Sequence, residues 1–270
     1  MARELSFVTI SSFGLPVVDS VVLFVSDMHF GRGARSSERT KEAALIECLE
    51  AHEGKVEHLY LLGDVFDGYI EYRHLVPKGF VRFQGLLARW TDRDIPVTYL
   101  LGNHDPWHRE YYSEELGVTV VPESMEAIHY GTRLHLAHGD GLVAADQSRT
   151  WLRTLLRHPV PVHLYRSLLP ADVGIGIAQW VSRRLHERDR DPSTPRILRE
   201  QARSLLRRDG LDGVVLAHSH VPALHHDPDG VYANTGNWYE HRTFARLDDN
   251  GLRLQRWNGS RTQGIESVQL

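Results

Sequence analysis

The sequence predicts an α/β fold, an α+β sandwich of two mixed β-sheets flanked by helices and interrupted by a helical cap insertion. Three observations lead there. Short β-branched apolar runs alternate with helical patterns over the first hundred or so residues, the later apolar runs are separated by turn residues instead, and residues 142–208 change to apolar spacing of helical period broken by prolines.

Residues 21–26 form a short, β-branched apolar run that reads as a buried strand delivering Asp27 and His29 to a loop. A helical pattern spans 40–52, with Ala43, Ala44, Ile46 and Leu49 among charged neighbours. The apolar run 58–62 is a second strand, ending at Gly63 and Asp64; a helix over 79–90 precedes a third strand, 97–101, which ends in Gly102-Asn103-His104-Asp105. Three β-α units thus aim three polar clusters at one edge. In open α/β sheets ligands bind in the crevice outside the carboxyl ends of the strands. Runs 125–130 and 133–137 flank Gly131-Thr132 as a hairpin ending at His138-Gly139-Asp140, and a strand over 213–217 ends at His218-Ser219-His220. Runs 231–234, 243–247 and 252–257 point to a mostly antiparallel second sheet, and 5–10 has the composition of an extra strand.

Within the insertion, Trp151, Leu152, Leu155 and Leu156 recur at helical spacing. Pro159, Pro161 and Pro170 break the pattern before a second run through Ile175, Ile177, Trp180, Val181 and Leu185. Arg183, Arg184, Arg188 and Arg190 follow, then a further helix over 194–208. The chain therefore divides into a core, 1–141 and 209–270, and a helical cap, 142–208, whose first part reads as a lid over the sheet edge, the alternative being another helical layer packed on the core.

Composition narrows the function. A formal charge of −4 and a pI near 6.5 exclude the global basic field of a protein held on nucleic acid by phosphate contacts. The one cysteine, Cys48, lies in a helical apolar pattern, which excludes a disulfide framework and fits a reducing cytoplasm. No stretch has the roughly 18 apolar residues of a spanning helix, and residues 1–20 do not read as an export leader. No oligomeric state follows. Histidine is the unusual component, with 17 copies, several beside Asp or Gly at strand ends.

Asp27-x-His29, Gly63-Asp64-x-x-Asp67, Gly102-Asn103-His104-Asp105, His138-Gly139 and His218-x-His220 are each weak signals alone. A lone buried histidine is more often a hydrogen-bonded core residue than a ligand, and Asp or Asn after a strand is often a turn former or helix cap. Five clusters, each following a strand, are a different matter. Two divalent metals roughly 3.5–4 Å apart need several protein ligands including a bridging carboxylate, and mixed oxygen and nitrogen donors suit Mn, with Fe or Zn as alternatives. Asp64 is the best bridge. Asp27, His29, Asp64 and His220 are assigned to one metal, and Asp64, Asn103, His138 and His218 to the other. Asp67 supports a ligand histidine, and Asp105 either does the same or caps the following helix.

At these residues the chain resembles the calcineurin-like metallophosphoesterases, whose D-x-H, G-D-x-x-D, G-N-H-D/E, solitary H and G-H-x-H pattern is matched almost throughout; Ala217 stands where the last motif usually has Gly. More narrowly, from Val22 to Trp257 it is similar to the bacterial UDP-2,3-diacylglucosamine diphosphatases of lipid A synthesis. The resemblance includes His138-Gly139-Asp140, Asp146, the insert holding Trp151 to Arg184, and the late Gly236-Asn237-Trp238 turn. It implies a nucleotide-activated lipid substrate, attack by metal-activated water at the α-phosphorus, and release of UMP and 2,3-diacylglucosamine 1-phosphate. It further implies a cap that receives acyl chains, lined by Trp151, Leu155, Ile175, Ile177 and Trp180, a substrate contact from Asp146, and Asn103, Arg183 and Arg184 facing the same substrate. His104 follows Asn103 and is the catalytic residue, donating a proton or a hydrogen bond to developing charge; the position is Arg in some members. The Ser- and Lys-containing lid stretch of familiar members is replaced by the arginine-rich 182–190 and Asp191-Pro192. Apolar cap helices with clustered arginines also lead us to expect peripheral contact with the cytoplasmic face of the inner membrane. Two other readings stay open: a soluble phosphodiesterase or nucleotide phosphohydrolase of the same superfamily, marked by a polar groove with stacking aromatics, and a non-catalytic scaffold, against which the complete ligand set argues.

Overall fold

The computed structural model describes residues 20–143, 157–186 and 191–270. The run 5–10, Asp146, the repeat from Trp151 to Leu156, Arg188 and Arg190 lie outside them, and of Arg183 and Arg184 only the helical backbone is described.

Two mixed sheets face each other. Strands β1 (Val21–Val25), β2 (Val56–Leu62), β3 (Val97–Leu100) and β4 (Thr119–Val121) run parallel. With β10 (Thr243–Asp248), β11 (Gly251–Trp257) and β12 (Thr262–Val268) they complete a seven-stranded sheet of order β12-β11-β10-β1-β2-β3-β4. The second sheet holds β5 (Ser124–His129), β6 (Thr132–Ala137), β7 (Gly213–Leu216), β8 (Ala223–Asp227) and β9 (Gly230–Asn234), in the order β5-β6-β7-β9-β8. The sequence expectation that the runs at 231, 243 and 252 share one antiparallel sheet is corrected here. β9 lies parallel to β7 in the second sheet, whereas β10 pairs antiparallel with β1 and extends the first. Both faces of β10 and β11 are buried, and apolar periodicity does not name a strand's partner.

Alternation of side chains builds the layers. Val21, Leu23 and Val25 face helices α1 (Arg35–Glu50) and α2 (Val81–Thr91), meeting Leu45, Leu49, Phe83, Leu87 and Trp90. Their neighbours Val22 and Phe24 join Tyr60, Leu62, Leu134, Leu136, Val215 and Ala233 between the sheets. Helix α1 begins five residues before the apolar pattern does. Its first turn is polar, and the buried Glu38 folds back to accept hydrogen bonds from the backbone N–H of Gly31 at 2.7 Å and Gly33 at 2.9 Å.

Among the described residues, three helices lie in the insertion region: α3 (Pro159–Leu168), α4 (Ala171–His186) and α5 (Thr194–Asp209). Pro159 opens α3 instead of breaking a helix, because its missing N–H is one of the groups a first turn leaves unpaired anyway. The Tyr165 hydroxyl donates to the Gly174 carbonyl at 2.9 Å, joining α3 to α4, and Arg166 donates to the Trp107 carbonyl at 2.7 Å, tying the pair to the sheet edge. Helix α5 departs from the expected cap. Leu198, Ala202 and Leu206 pack on Val214, Leu216 and Tyr232 of the second sheet, so α5 is an outer layer of the core. Leu198 is fully buried, and Leu198→Ala is expected to lower stability by about 2–5 kcal/mol, the range for large-to-small core substitutions, in a denaturant titration. A cost under about 1 kcal/mol would show that α5 is not part of the core.

Candidate metal centre

The polar clusters expected at the strand ends meet where β1, β2, β3, β6 and β7 finish. One atom each from Asp27, His29, Asp64 and His220 lie within 4.8 Å of one another, and all but His220 are buried. Nε2 of His220 is 3.1 Å from Asp27 Oδ1, and Nε2 of His29 is 3.8 Å from both Asp27 Oδ1 and Asp64 Oδ2. On the other side of Asp64, Oδ2 is 3.3 Å from His138 Nε2, which is itself 3.1 Å from Asn103 Oδ1. The His218 ring stands edge-on to His138 with centroids 5.1 Å apart. Asp64 therefore touches both halves of the cluster.

The backbone is strained where these side chains leave it. Nine non-glycine residues among those described have positive φ, and five of them are Asp27 (50°), His29 (44°), Asp64 (52°), His218 (66°) and His220 (58°). Such conformations cost side-chain-bearing residues of order 1–3 kcal/mol each and persist only where the surroundings impose them. Ala217, by contrast, lies outside that region, so alanine fits where the family motif carries glycine. The strain is held by hydrogen bonds. Asp105 is fully buried and accepts from the backbone N–H of Asp64, Val65, Phe66 and Gly102 at 2.7–3.2 Å and from the Tyr99 hydroxyl. Asp105 thus holds the turn that carries Asp64, a role different from both the histidine support and the helix cap expected of it. Asp67 Oδ1 lies 3.3 Å from His29 Nδ1. His138 Nδ1 faces the Leu62 carbonyl at 2.8 Å, which directs Nε2 into the cluster. Asn237, in the late turn, donates to the His220 carbonyl at 3.1 Å, and the N–H of Trp238 donates to the Asp27 carbonyl at 3.2 Å.

The donor set fits divalent metals. Carboxylate oxygens, imidazole nitrogens and an amide oxygen converge at short range, and Asp27 Oδ1 is buried with no hydrogen-bond donor of suitable geometry. Burial works against the charge of Asp64, yet His138, His104 and His29 hold its carboxyl well below the usual range. Burial likewise disfavours the His138 imidazolium, but Asp64, with Asp27 and Asp140, pushes it up to about 10.

His104 is buried. Its N–H donates to Asp64 Oδ1 at 2.9 Å, its ring lies edge-on to His29 at 4.8 Å, and Nδ1 pairs with the Ser182 hydroxyl of α4. Ser182 was not singled out from the sequence, where it is one residue at the head of an arginine run. Also missed were Arg157, which donates to the Gly102 carbonyl at 3.0 Å, and Tyr239, whose hydroxyl is 3.3 Å from His220 Nδ1. The position of Tyr239, directly after Gly236-Asn237-Trp238, was the available signal. Trp180, assigned to the substrate, is 55% exposed on α4, and Asp146, Trp151 and Leu155 fall outside the described residues.

A two-sheet sandwich carrying such donors at the joined strand ends is the arrangement of a metal-assisted hydrolase. The chain belongs to the calcineurin-like phosphoesterase family, whose model matches residues 20–222, and it is a hydrolase of phosphate bonds. It is 33% identical to a UDP-2,3-diacylglucosamine hydrolase of Porphyromonas gingivalis, over 60% of this chain and 62% of that relative. It is 29% identical to a protein of the same name from Edwardsiella ictaluri, over 86% of this chain and 90% of that one. Among solved structures, Yfce, a phosphoesterase from E. coli, matches with a TM-score of 0.49 at 18% identity, covering 92% of this chain and 98% of Yfce.

Two expectations follow. A Cβ on Gly102 would stand 2.1 Å from Asp64 Oδ1, so Gly102→Ala should reduce Mn affinity at least about tenfold, measured by metal titration of the purified chain. Wild-type affinity in that variant would show that the Asp64 carboxylate does not set metal binding. Ligation of a metal by His138 would require the neutral imidazole. Because its pKa is raised, the proton competes with metal below about pH 10, and Mn affinity should rise with pH by up to about tenfold per unit with proton release on binding. In the metal-free chain the sign is opposite: the charged His138 contributes stability in full below about 6.5, and this is lost as pH rises through about 10. Metal affinity independent of pH would contradict this account.

Proposed function

We propose that the chain is a dinuclear-metal hydrolase that cleaves the pyrophosphate of UDP-2,3-diacylglucosamine to 2,3-diacylglucosamine 1-phosphate and UMP. In this reading Asp27, His29, Asp64 and His220 hold one ion and Asp64, Asn103, His138 and His218 the other, with Mn as the preferred metal. When bound, such ions activate water and neutralise charge on phosphoryl oxygens.

The observation that carries the reading is the pairing of Ser182 with His104, which joins the cap to the catalytic edge. His104 sits between Asp64 and α4, where its imidazole can donate to the oxygen of a leaving group held under the cap. Ser182 orients that ring. Arg157, from the entrance to α3, adds a cation 3.3 Å from Asp140 beside the Gly102 turn. Outward on the cap, Val160, Leu164, Leu168, Val173, Ile177 and Trp180 are all at least 40% exposed, a quantity of apolar surface suited to acyl chains. Each methylene taken from water is worth about 0.8 kcal/mol. The names of the two relatives support the same substrate. The cap in this reading is the insertion without α5, and Asp146, Arg183 and Arg184 are assigned to the substrate by the family resemblance. No described helix is long and apolar enough to cross a membrane. In this reading the enzyme works in the cytoplasm with its cap against the inner face of the bilayer.

Purified Mn-loaded protein is expected to release UMP from UDP-2,3-diacylglucosamine, and Asp64→Ala to lower the rate at least about a thousandfold. Cleavage of bis-p-nitrophenyl phosphate without cleavage of the lipid nucleotide would remove this substrate and leave a soluble phosphodiesterase.

A further inference from the structure

Beside the metal centre lies a cavity of about 720 Å³, within the size range of small-ligand sites and lined by Arg32, Thr40, Lys41, Tyr239, Glu240 and Arg242 among others. Among the described residues its lining comes from 32–41 and 239–242, and none of these belongs to the cap. Tyr239 is the wall it shares with the centre. The ring stands edge-on to His29 and His220, with centroids 5.5 and 5.6 Å away. The guanidinium carbon of Arg32 lies 4.7 Å above the same ring, and its Nη1 is buried without a hydrogen-bond partner.

The charges here are unevenly committed. Glu38 accepts from two backbone N–H groups and pairs with Lys41 at 3.0 Å, while Lys41 also donates to the His29 carbonyl at 2.9 Å. Lys41 and Glu38 are thereby occupied in holding the His29 loop. Arg32 has a different situation: a planar fork, stacked on an aromatic face, with a buried N–H that goes unsatisfied until an acceptor arrives. An anion bearing a flat ring satisfies both features at once. Charge alone would suit free phosphate, but the cavity is several times larger than one phosphate group requires, and an aromatic wall adds nothing to phosphate binding.

We propose that this cavity holds the nucleoside monophosphate portion of the substrate, with Arg32 facing the phosphate, Tyr239 against the nucleoside and Glu240 accepting from ribose hydroxyls. The assignment rests on the nucleotide substrate proposed above and specifies which part of it binds where. The nucleotide lies in the core cavity between the α1 entrance and the turn after β9, while the remainder lies on the His104 side under the cap. Cleavage between the two then leaves the nucleoside monophosphate in the cavity as the product retained by the core.

The test is calorimetric titration of UMP into the full-length, Mn-loaded protein, with Arg32→Met, which keeps length and removes charge, and Thr40→Trp, which fills the cavity from its exposed rim. Equal metal content and an unchanged circular dichroism spectrum establish that each variant is folded and loaded. Both variants should weaken UMP at least tenfold, and Thr40→Trp should leave inorganic phosphate within twofold of wild type, because steric filling displaces the nucleoside and not the phosphate. UMP affinity unchanged in either variant, or no UMP binding by the wild type, overturns the proposal. Failure of the lipid-nucleotide assay with UMP binding lost in both variants would instead leave the cavity assignment standing and remove the lipid half of the substrate.

Discussion

The buried carboxylate of Asp105 is the contact on which the site depends. It gathers backbone N–H groups from the turn after β2 and from the turn after β3, two segments that are neighbours in the sheet but distant in sequence. Four N–H donors and a phenol around one acceptor are enough to hold a backbone that local sterics oppose. Burial, with Asp64 close by, pushes Asp105 up to about 6, so its ionised form is retained only because those donors oppose both effects. From that anchor the order of the site follows. Asp64 is fixed in its left-handed conformation, its Oδ1 receives the N–H of His104, and its Oδ2 turns to His29 and His138.

The sandwich supplies what one sheet cannot. Asp27, Asp64 and Asn103 follow strands of the first sheet, while His138 and His218 follow strands of the second, and the interior packed between them sets how closely the two edges approach. The turn after β9 closes the ring. Ser26 Oγ donates to Asp27 Oδ2 at 2.6 Å and lies 2.6 Å from Thr235 Oγ1, so a small polar contact across the sheets fixes the carboxylate that faces His220. Since interiors of this packing density yield little, an error of one residue in either sheet's register would separate the two halves of the cluster.

Much of this was legible before the fold was known. Asp27, Asp64, Asn103, His138 and His218 could be placed because each ends an apolar run, and the parallel β-α units imply a common edge. Sheet membership was not legible for β9, β10 and β11, since a strand buried on both faces carries no record of which neighbour it pairs with. β12 escaped notice because it is largely exposed and lacks apolar alternation. Helix α5 was grouped with the cap for its position in the chain, although Leu198, Ala202 and Leu206 repeat at the spacing of a helix that covers a sheet. Ser182 and Arg157 act through contacts made across large sequence separations, and no local pattern encodes those.

The left-handed turns at the ligand positions bear on how the enzyme comes into being. A chain that keeps five side-chain-bearing residues in that region carries a cluster of opposed preferences at one edge, on top of carboxylates and imidazoles crowded together. Ions that bind only the folded state offset this by mass action, so the native population depends on free metal concentration as well as on the core. Metal supply then governs the amount of folded enzyme as well as its turnover. Starvation for the ion would lower the folded fraction as the sites empty, so loss of occupancy and loss of stability fall together.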